Sequence, residues 1–259
     1  MGTRSSHQRH LGFCIFCGGA GETDDHVVPL ALGGTDVLHK SSCESCRDQL
    51  NTKIDAPVLN GKLLFPRMIF KRQRSKKRSP RTEGKVRTVP GGQGPMVEVT
   101  REFESAPRRL IMWTTERPWL LDQSRPRRVD GGFTLKSCSA YISPGSMFST
   151  DESEIFFSSE VFLNFYRMIA KIGLASAYLL SENWQFEPII QSALVDENSV
   201  GILDFVGEGP PFDLTEKPYQ LALRTDGKHL VASVQIFADM RMPTYDVVVA
   251  RRAGWALFS

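Results

Sequence analysis

Apolar residues recur at helical spacing across one long stretch of the chain, from Phe162 to Leu180. Positions three or four apart share one side of an α-helix, so this spacing predicts a helix, and Ser158 or Ser159 can cap its N-terminus. This helix is the longest that the sequence predicts, and we expect most of it to be core. Its apolar positions are Phe162, Phe165, Met168, Ile169, Ile172, Ala175, Ala177, Leu179 and Leu180.

Short β-rich runs lie on both sides of this helix. Before it, VEVTREF and RRLIMWTT predict strands. After it comes a shorter helical candidate from Pro188 to Leu194, and then the runs QLALRT, HLVASVQIF and YDVVVARR. The Asp226-Gly227 pair between the first two of these runs is a hairpin signal. We therefore predict an α+β protein whose C-terminal domain packs one long helix against an antiparallel sheet.

The N-terminal part of the chain differs in composition, because it is richer in polar, basic and cysteine residues. Residues 1–12 are polar and basic without an apolar period, which predicts a flexible arm. Residues 13–62 form a cysteine-rich segment with a turn at Gly33-Gly34 and a helical ending. We expect a small module there, a basic linker over residues 63–94, and the C-terminal α+β domain over residues 95–259.

The predicted linker is strongly basic. It carries ten basic residues against one acidic residue, Glu83, between positions 67 and 87. Such a block is usually solvated and serves either as a solubilising linker or as a grip on nucleic-acid phosphates. The basic residues are Arg67, Lys71, Arg72, Arg74, Lys76, Lys77, Arg78, Arg81, Lys85 and Arg87.

The composition is that of a globular protein and gives no indication of a membrane helix or a secretory signal. The 259 residues are 41% hydrophobic and 24% charged, which is ordinary for a globular chain, and the net charge of +3 does not by itself indicate a polyanionic partner. No apolar run approaches the roughly 18 residues of a membrane helix, and the start lacks the apolar run of a secretory signal. We expect a cytoplasmic protein without a membrane partner.

Four of the five cysteines form two CxxC pairs, Cys14 with Cys17 and Cys43 with Cys46, separated by 25 residues. This spacing is typical of a closed tetrahedral zinc site, and the short turn in each pair brings two thiolates to one side. A closed site has no open coordination position, so the zinc would be structural. It would supply the stabilisation that so small a module otherwise lacks.

The loop between the two pairs contains DDHVVP, from Asp24 to Pro29, followed by the Gly33-Gly34 turn. A carboxylate and an imidazole therefore lie side by side next to a turn, and an imidazole can accept a proton from water near neutral pH. A zinc ribbon that only binds nucleic acid or protein is the alternative explanation of the cysteines. Such a ribbon needs neither the Asp-His pair nor the following proline and glycines.

CIFCG, DHVVPLALGG and CESCRDQLNTKIDAPVL together resemble the zinc-containing branch of the HNH endonucleases, the ββα-metal nucleases. The resemblance covers roughly residues 13–60. It implies a hairpin that carries Asp25 and His26, packed against a helix that begins near the second CxxC pair. It also implies a metal-dependent cleavage of DNA phosphodiesters that leaves 5′-phosphate ends, in a setting such as bacterial or phage defence.

The resemblance assigns roles to single residues. His26 would be the general base, and Asp25 would be a ligand of a catalytic Mg²⁺ or Mn²⁺ ion that stabilises charge on the phosphate. The family commonly has Asn or His directly after the last cysteine, where this chain has Arg47. Asn51, one helical turn further, is the substitute ligand that we predict, with Asp48 as a weaker candidate, and His39 would order the loop around the base.

Arg47 leaves two alternatives open. It would clamp the scissile phosphate of an active nuclease, or it would mark a decayed one that serves as a zinc-dependent DNA-binding or adaptor protein. An RNA-directed nuclease would differ only in its substrate. The C-terminal domain carries no recognisable motif, and we expect it to select substrate, to receive an activating subunit or ligand, or to mediate oligomerisation.

Overall fold

The computed structural model of the chain describes residues 7–61, 63–64, 67, 83–88, 97–102, 109–124, 126–127, 136–141, 159–182, 186–195 and 201–252. The fold is mixed helix and sheet. It has a cysteine-containing module at the N-terminal end, and a long helix and an antiparallel sheet in the second half of the chain. The predicted α+β class is confirmed.

The module consists of a small sheet and a helical segment. Strands β1 (Gln8–His10), β2 (Thr23–His26) and β3 (Val37–Ser42) lie in the order β1-β3-β2. Strand β2 is antiparallel to β3, and β1 is parallel to it. Helix α1 (Glu44–Leu50) begins beside the second CxxC pair and continues through one π-helical turn (Asn51–Asp55) into α2 (Ala56–Asn60). The predicted hairpin and helix are both present.

Two separate two-stranded sheets follow in the chain. Strand β4 (Glu83–Thr88) pairs with β5 (Val97–Glu102), and β6 (Arg109–Thr114) pairs with β7 (Lys136–Tyr141), both antiparallel. Strands β5 and β6 confirm the predictions for VEVTREF and RRLIMWTT. Strand β4 falls inside the predicted linker, so residues 63–94 are not linker throughout. Most of the basic block lies outside the described residues.

The long helix α3 (Ser159–Leu180) confirms the helical spacing, and from Phe162 to Leu179 nearly every side chain is buried. It is buried on all sides because it lies between the C-terminal sheet and the helical segment of the module. Gly173 permits the close approach to the sheet, since a Cβ there would lie 2.7 Å from side-chain atoms of Val247. Within the described residues, no helix is long and apolar enough to span a membrane.

The C-terminal sheet has strands in the order β10-β11-β12-β8, and β9 also pairs with β12. The strands are β8 (Phe186–Pro188), β9 (Val206–Glu208), β10 (Tyr219–Asp226), β11 (His229–Ile236) and β12 (Thr244–Arg252). Every pairing is antiparallel, and β10 and β11 meet at the predicted Asp226-Gly227 hairpin. The predicted helix from Pro188 is wrong at its start, because Pro188 ends β8 and helix α4 covers only Gln191–Val195.

The prediction of a flexible arm over residues 1–12 is wrong for the residues from His7 onward. Strand β1 pairs with β3, and the Arg9 guanidinium donates hydrogen bonds to the carbonyl oxygens of Tyr178, Leu179, Ser181 and Glu182 at the end of α3. The last carbonyls of a helix have no partner within the helix, and a cation there also complements the helix dipole. Arg9 therefore caps α3 and ties β1 to it.

We expect Arg9→Ala to lower the free energy of unfolding by about 2 kcal/mol, because several charge-assisted hydrogen bonds are lost and the carbonyls at the helix end lose their donor. Urea denaturation followed by circular dichroism measures the loss. His10→Ala, an exposed position in the same strand, is the control. Equal stability of the two variants would show that the cap contributes nothing.

Candidate functional site

The four cysteines of the two CxxC pairs converge. Their Sγ atoms all lie within 4.8 Å of one another, and those of Cys17 and Cys43 are 3.8 Å apart. Zinc–sulfur bonds of about 2.3 Å place two sulfurs of a tetrahedron about 3.8 Å apart. The four cysteines are therefore positioned to bind one metal ion together, as the spacing predicted.

Local backbone structure holds each pair. In the first pair, the Cys14 amide donates to the carbonyl of Gly19 at 2.7 Å, and Gly18 adopts a positive φ of 77° that closes the turn. In the second, Cys43 caps helix α1, with its Sγ accepting from the Cys46 amide at 3.4 Å. Burial raises the pKa of the Cys14 thiol, whereas the backbone amide of Gly19 lowers that of Cys17.

Asp25 and His26 lie at the end of strand β2, opposite Leu38 and Val37 of β3. Both side chains are half-buried. Val27 and Val28, which follow them, are fully buried and anchor the end of the strand. Among the described residues, no side chain forms a hydrogen bond or an ion pair with the His26 imidazole. The imidazole is therefore available to a proton donor from solution.

The proline and glycines after the Asp-His pair shape the loop that follows it. A 3-10 turn (Leu30–Leu32) begins after Pro29 and ends at Gly33, whose φ of 89° favours glycine. Gly34 is buried, and a Cβ there would lie 1.8 Å from the Val28 carbonyl oxygen, so no larger residue fits. The motif therefore folds the chain back onto the segment that carries His26.

His39, predicted to order the loop, contacts Asp24 rather than His26. Its Nδ1 lies 2.8 Å from Asp24 Oδ2, and the Lys40 amide donates to Asp24 Oδ1 at 3.0 Å. The hydrogen bond with His39 holds the pKa of the Asp24 carboxyl below its usual range. Asp24 directly precedes the Asp25-His26 pair, so the contact with His39 restrains the backbone just before that pair. The sequence prediction did not identify Asp24 as the partner of His39.

Arg47 and Asn51 lie on the helical segment of the module. The Arg47 Nε donates to Asp48 Oδ1 at 2.9 Å, which ties both side chains to each other. Asn51 is exposed and begins the π-helical turn. Within the described part of the chain, no hydrogen bond joins Asn51 to Asp25 or His26, so its role as a ligand stays a prediction.

The structure also brings two residues to Asp25 that sequence reasoning missed. The Lys171 Nζ of helix α3 lies 2.7 Å from Asp55 Oδ2 and 3.3 Å from Asp25 Oδ2. Asp55 ends the π-helical turn and is 7% exposed, and Lys171 is 4% exposed. A sequence signal for Lys171 did exist, since it is the only charged residue between Met168 and Leu180.

Charges within this trio perturb one another. Burial alone would lower the pKa of Lys171, but the negative charges of Asp55 and Asp25 outweigh it and raise that pKa. Burial raises the pKa of Asp55, against the opposing effect of Lys171, and the nearby charge of Asp25 raises it further. One ammonium group thus forms ion pairs with two carboxylates. The Asp55 Oδ1 atom is buried without a hydrogen-bond partner in the described structure.

Comparison with known proteins agrees with the geometry of the module. Residues 14–63 match the family model described as HNH endonuclease, and this segment contains all four clustered cysteines together with Asp25 and His26. No curated protein and no solved structure gives a significant match to the chain. The match is confined to residues 14–63, and the four cysteines within it are positioned to bind a metal ion, which is consistent with the zinc-containing type of this family.

Proposed function

We propose that the protein is a metal-dependent endonuclease that hydrolyses phosphodiester bonds of DNA. The proposal rests on the Asp25-His26 pair at the end of β2, inside the segment that matches the HNH endonuclease family and that also contains the four-cysteine cluster. A module of this kind contributes a base and an oxygen ligand on one short strand. The zinc held by the cysteines is structural in this proposal.

His26 acts as the general base. Its half-buried imidazole makes no hydrogen bond to a described side chain, so a lone pair is free to take a proton from the attacking water. The buried Val27 and Val28 restrict movement of the strand that carries it. His39 contributes indirectly, because its contact with Asp24 fixes the backbone that precedes the Asp-His pair.

Asp25 and Asn51 would hold the catalytic Mg²⁺ or Mn²⁺ ion. Both offer oxygen atoms, which Mg²⁺ prefers, and protein sites for this ion commonly use only one or two carboxylates together with substrate phosphate and water. When bound, the ion supplies charge stabilisation for the phosphate and the leaving oxygen. The Asp25 carboxylate fits this use. Its Oδ2 atom contacts Lys171, and the side chain is half-buried, so the carboxylate is held in place and still accessible to an ion.

Arg47 contacts the scissile phosphate in this proposal. It lies in α1 directly after the last cysteine, and its guanidinium is about one third exposed. We expect Arg47→Ala to raise KM for DNA roughly tenfold with a smaller change in kcat, because a phosphate contact of this kind acts mainly in binding. Steady-state cleavage kinetics measure both constants, and unchanged kinetics would exclude the contact.

The other candidate function is a zinc-dependent DNA-binding or adaptor protein without catalysis. It is favoured by Arg47, which stands where the family commonly has a metal ligand and cannot itself bind a cation. The two candidates differ in their use of divalent ions. The adaptor binds DNA with the same salt-dependent affinity whether or not Mg²⁺ is present, whereas the nuclease requires the ion for turnover.

End-labelled duplex DNA, single-stranded DNA and RNA of one sequence, incubated with zinc-loaded protein with and without Mg²⁺, test the proposal. We expect cleavage of DNA in Mg²⁺ only, with 5′-phosphate and 3′-hydroxyl ends. Cleavage of RNA alone would assign another substrate, and binding without cleavage of any of them would favour the adaptor. A cytoplasmic location, a role in defence and an activating partner of the C-terminal domain stay predictions.

A further inference from the structure

Lys171 is the one residue of the C-terminal half that forms an ion pair with a predicted residue of the nuclease site, among the described residues. It lies in the middle of helix α3 and is 4% exposed, in a stretch of the helix where the apolar residues Met168 and Ile172 are also buried. Burying an ammonium group is unfavourable unless it is paired, and a core position is more simply filled by an apolar residue. The position of the charge therefore calls for an explanation other than packing.

Two carboxylates of the module meet this ammonium group from different elements. Asp55, on the helical segment, accepts at 2.7 Å, and Asp25, on β2, lies at 3.3 Å. The shorter contact is with the more buried carboxylate. Asp55 thus fixes the position of Lys171, and Lys171 in turn contacts Asp25 through the single atom Oδ2.

We propose that Lys171 is a positioning residue of the nuclease site, held by Asp55, which orients the Asp25 carboxylate for binding of the catalytic divalent ion. This inference rests on the proposed function. In this arrangement the Oδ2 atom is held by the ammonium group, and the carboxylate keeps one orientation toward the ion. Ligating carboxylates in metal sites are commonly fixed by such outer contacts.

Helix α3 contributes Lys171 to the nuclease site in this proposal. Helix α3 also packs against the C-terminal sheet through Gly173, two residues after Lys171. The site in the module is therefore complete only when α3 is docked. The C-terminal half then contributes a defined residue to the site, besides any partner or substrate that it selects.

Mn²⁺ binding to the zinc-loaded full chain, measured by electron paramagnetic resonance, tests the proposal without using activity. We expect Lys171→Met to weaken Mn²⁺ binding and to lower kcat, each by roughly 10- to 100-fold, with partial recovery in Lys171→Arg. Arg167→Met is the matched control, since Arg167 is a buried cation one turn earlier on α3 that hydrogen-bonds Asn164. It should leave Mn²⁺ affinity unchanged.

Loss of Lys171 alone leaves Asp55 as a buried unpaired charge and can unfold the protein. The double variant Lys171→Met, Asp55→Leu removes both charges, and we expect it to keep its fold and its zinc while showing the same weakening of Mn²⁺ binding. Wild-type Mn²⁺ affinity in a folded double variant would overturn the proposal. Tighter Mn²⁺ binding or faster cleavage would overturn it too, because Lys171 would then compete with the ion.

These measurements distinguish a failure of the nuclease function from a failure of the positioning role of Lys171. If the wild-type protein binds Mn²⁺ but cleaves no nucleic acid, the proposed nuclease function fails, while the comparison of Mn²⁺ affinities still tests Lys171. If the variants cleave normally and bind Mn²⁺ as the wild type does, the positioning role fails and the nuclease function stands.

Discussion

Cys46→Ser is expected to abolish stoichiometric zinc binding and to unfold the N-terminal module. The four thiol sulfurs lie within 4.8 Å of one another, and such sites in small peptides bind zinc with an apparent free energy of roughly 10 to 16 kcal/mol that is also folding free energy. The cysteines fasten both the first turn of α1 and the loop that precedes β2. Loss of the zinc site therefore destabilises the segments that hold the strand with Asp25 and His26 in place.

Elemental analysis of the purified protein measures the zinc, and the chemical shifts of the module or its protection from proteolysis report its fold. We expect one zinc per wild-type chain and well under one in the variant. Cys138→Ser is the control for the loss of a thiol, because Cys138 belongs to neither CxxC pair and its backbone lies in β7, opposite Met112. A Cys46→Ser protein that keeps a full equivalent of zinc would contradict the assignment.

His26→Ala is expected to lower kcat for DNA cleavage by roughly 100- to 10,000-fold, the usual contribution of a general base. Zinc content, thermal stability and DNA affinity should change little, since the His26 imidazole forms no hydrogen bond to a described side chain. Single-turnover cleavage in Mg²⁺ measures the chemical step directly and separates it from binding.

His229→Ala is the matched control for the removal of an imidazole. His229 lies at the start of β11, and burial lowers its pKa below the usual range for histidine. We expect this variant to cleave at the wild-type rate. If His26→Ala retains wild-type cleavage at matched zinc content, another group is the base and the interpretation of the Asp-His pair is wrong.

The elements that the sequence predicts correctly are those whose pattern is local. Helix α3 follows from its apolar spacing, the hairpin of β10 and β11 from Asp226-Gly227, and the cysteine cluster from two CxxC pairs. In the helix and the hairpin, residues close in sequence determine the backbone conformation. For the cysteines, two CxxC pairs at this spacing are most simply explained by a shared metal ion. The Gly33-Gly34 pair belongs here too, because backbone crowding at Gly34 is a local constraint.

Long-range contacts explain what the sequence does not predict. Residues 7–12 have no apolar period, yet β1 is ordered by pairing with β3 and by the contact of Arg9 with the end of α3, some 170 residues away. The Lys171–Asp55 pair joins positions 116 residues apart. A lone charge in an apolar helix indicates a buried polar contact, but it does not identify the partner.

Cleavage of supercoiled plasmid by zinc-loaded wild-type protein, in buffer with Mg²⁺ and in the same buffer without it, shows whether the protein is a metal-dependent nuclease. We expect nicked or linear plasmid in Mg²⁺ only. Intact plasmid in both buffers, together with DNA binding that depends on salt but not on Mg²⁺, would contradict it and would favour a zinc-dependent DNA-binding protein.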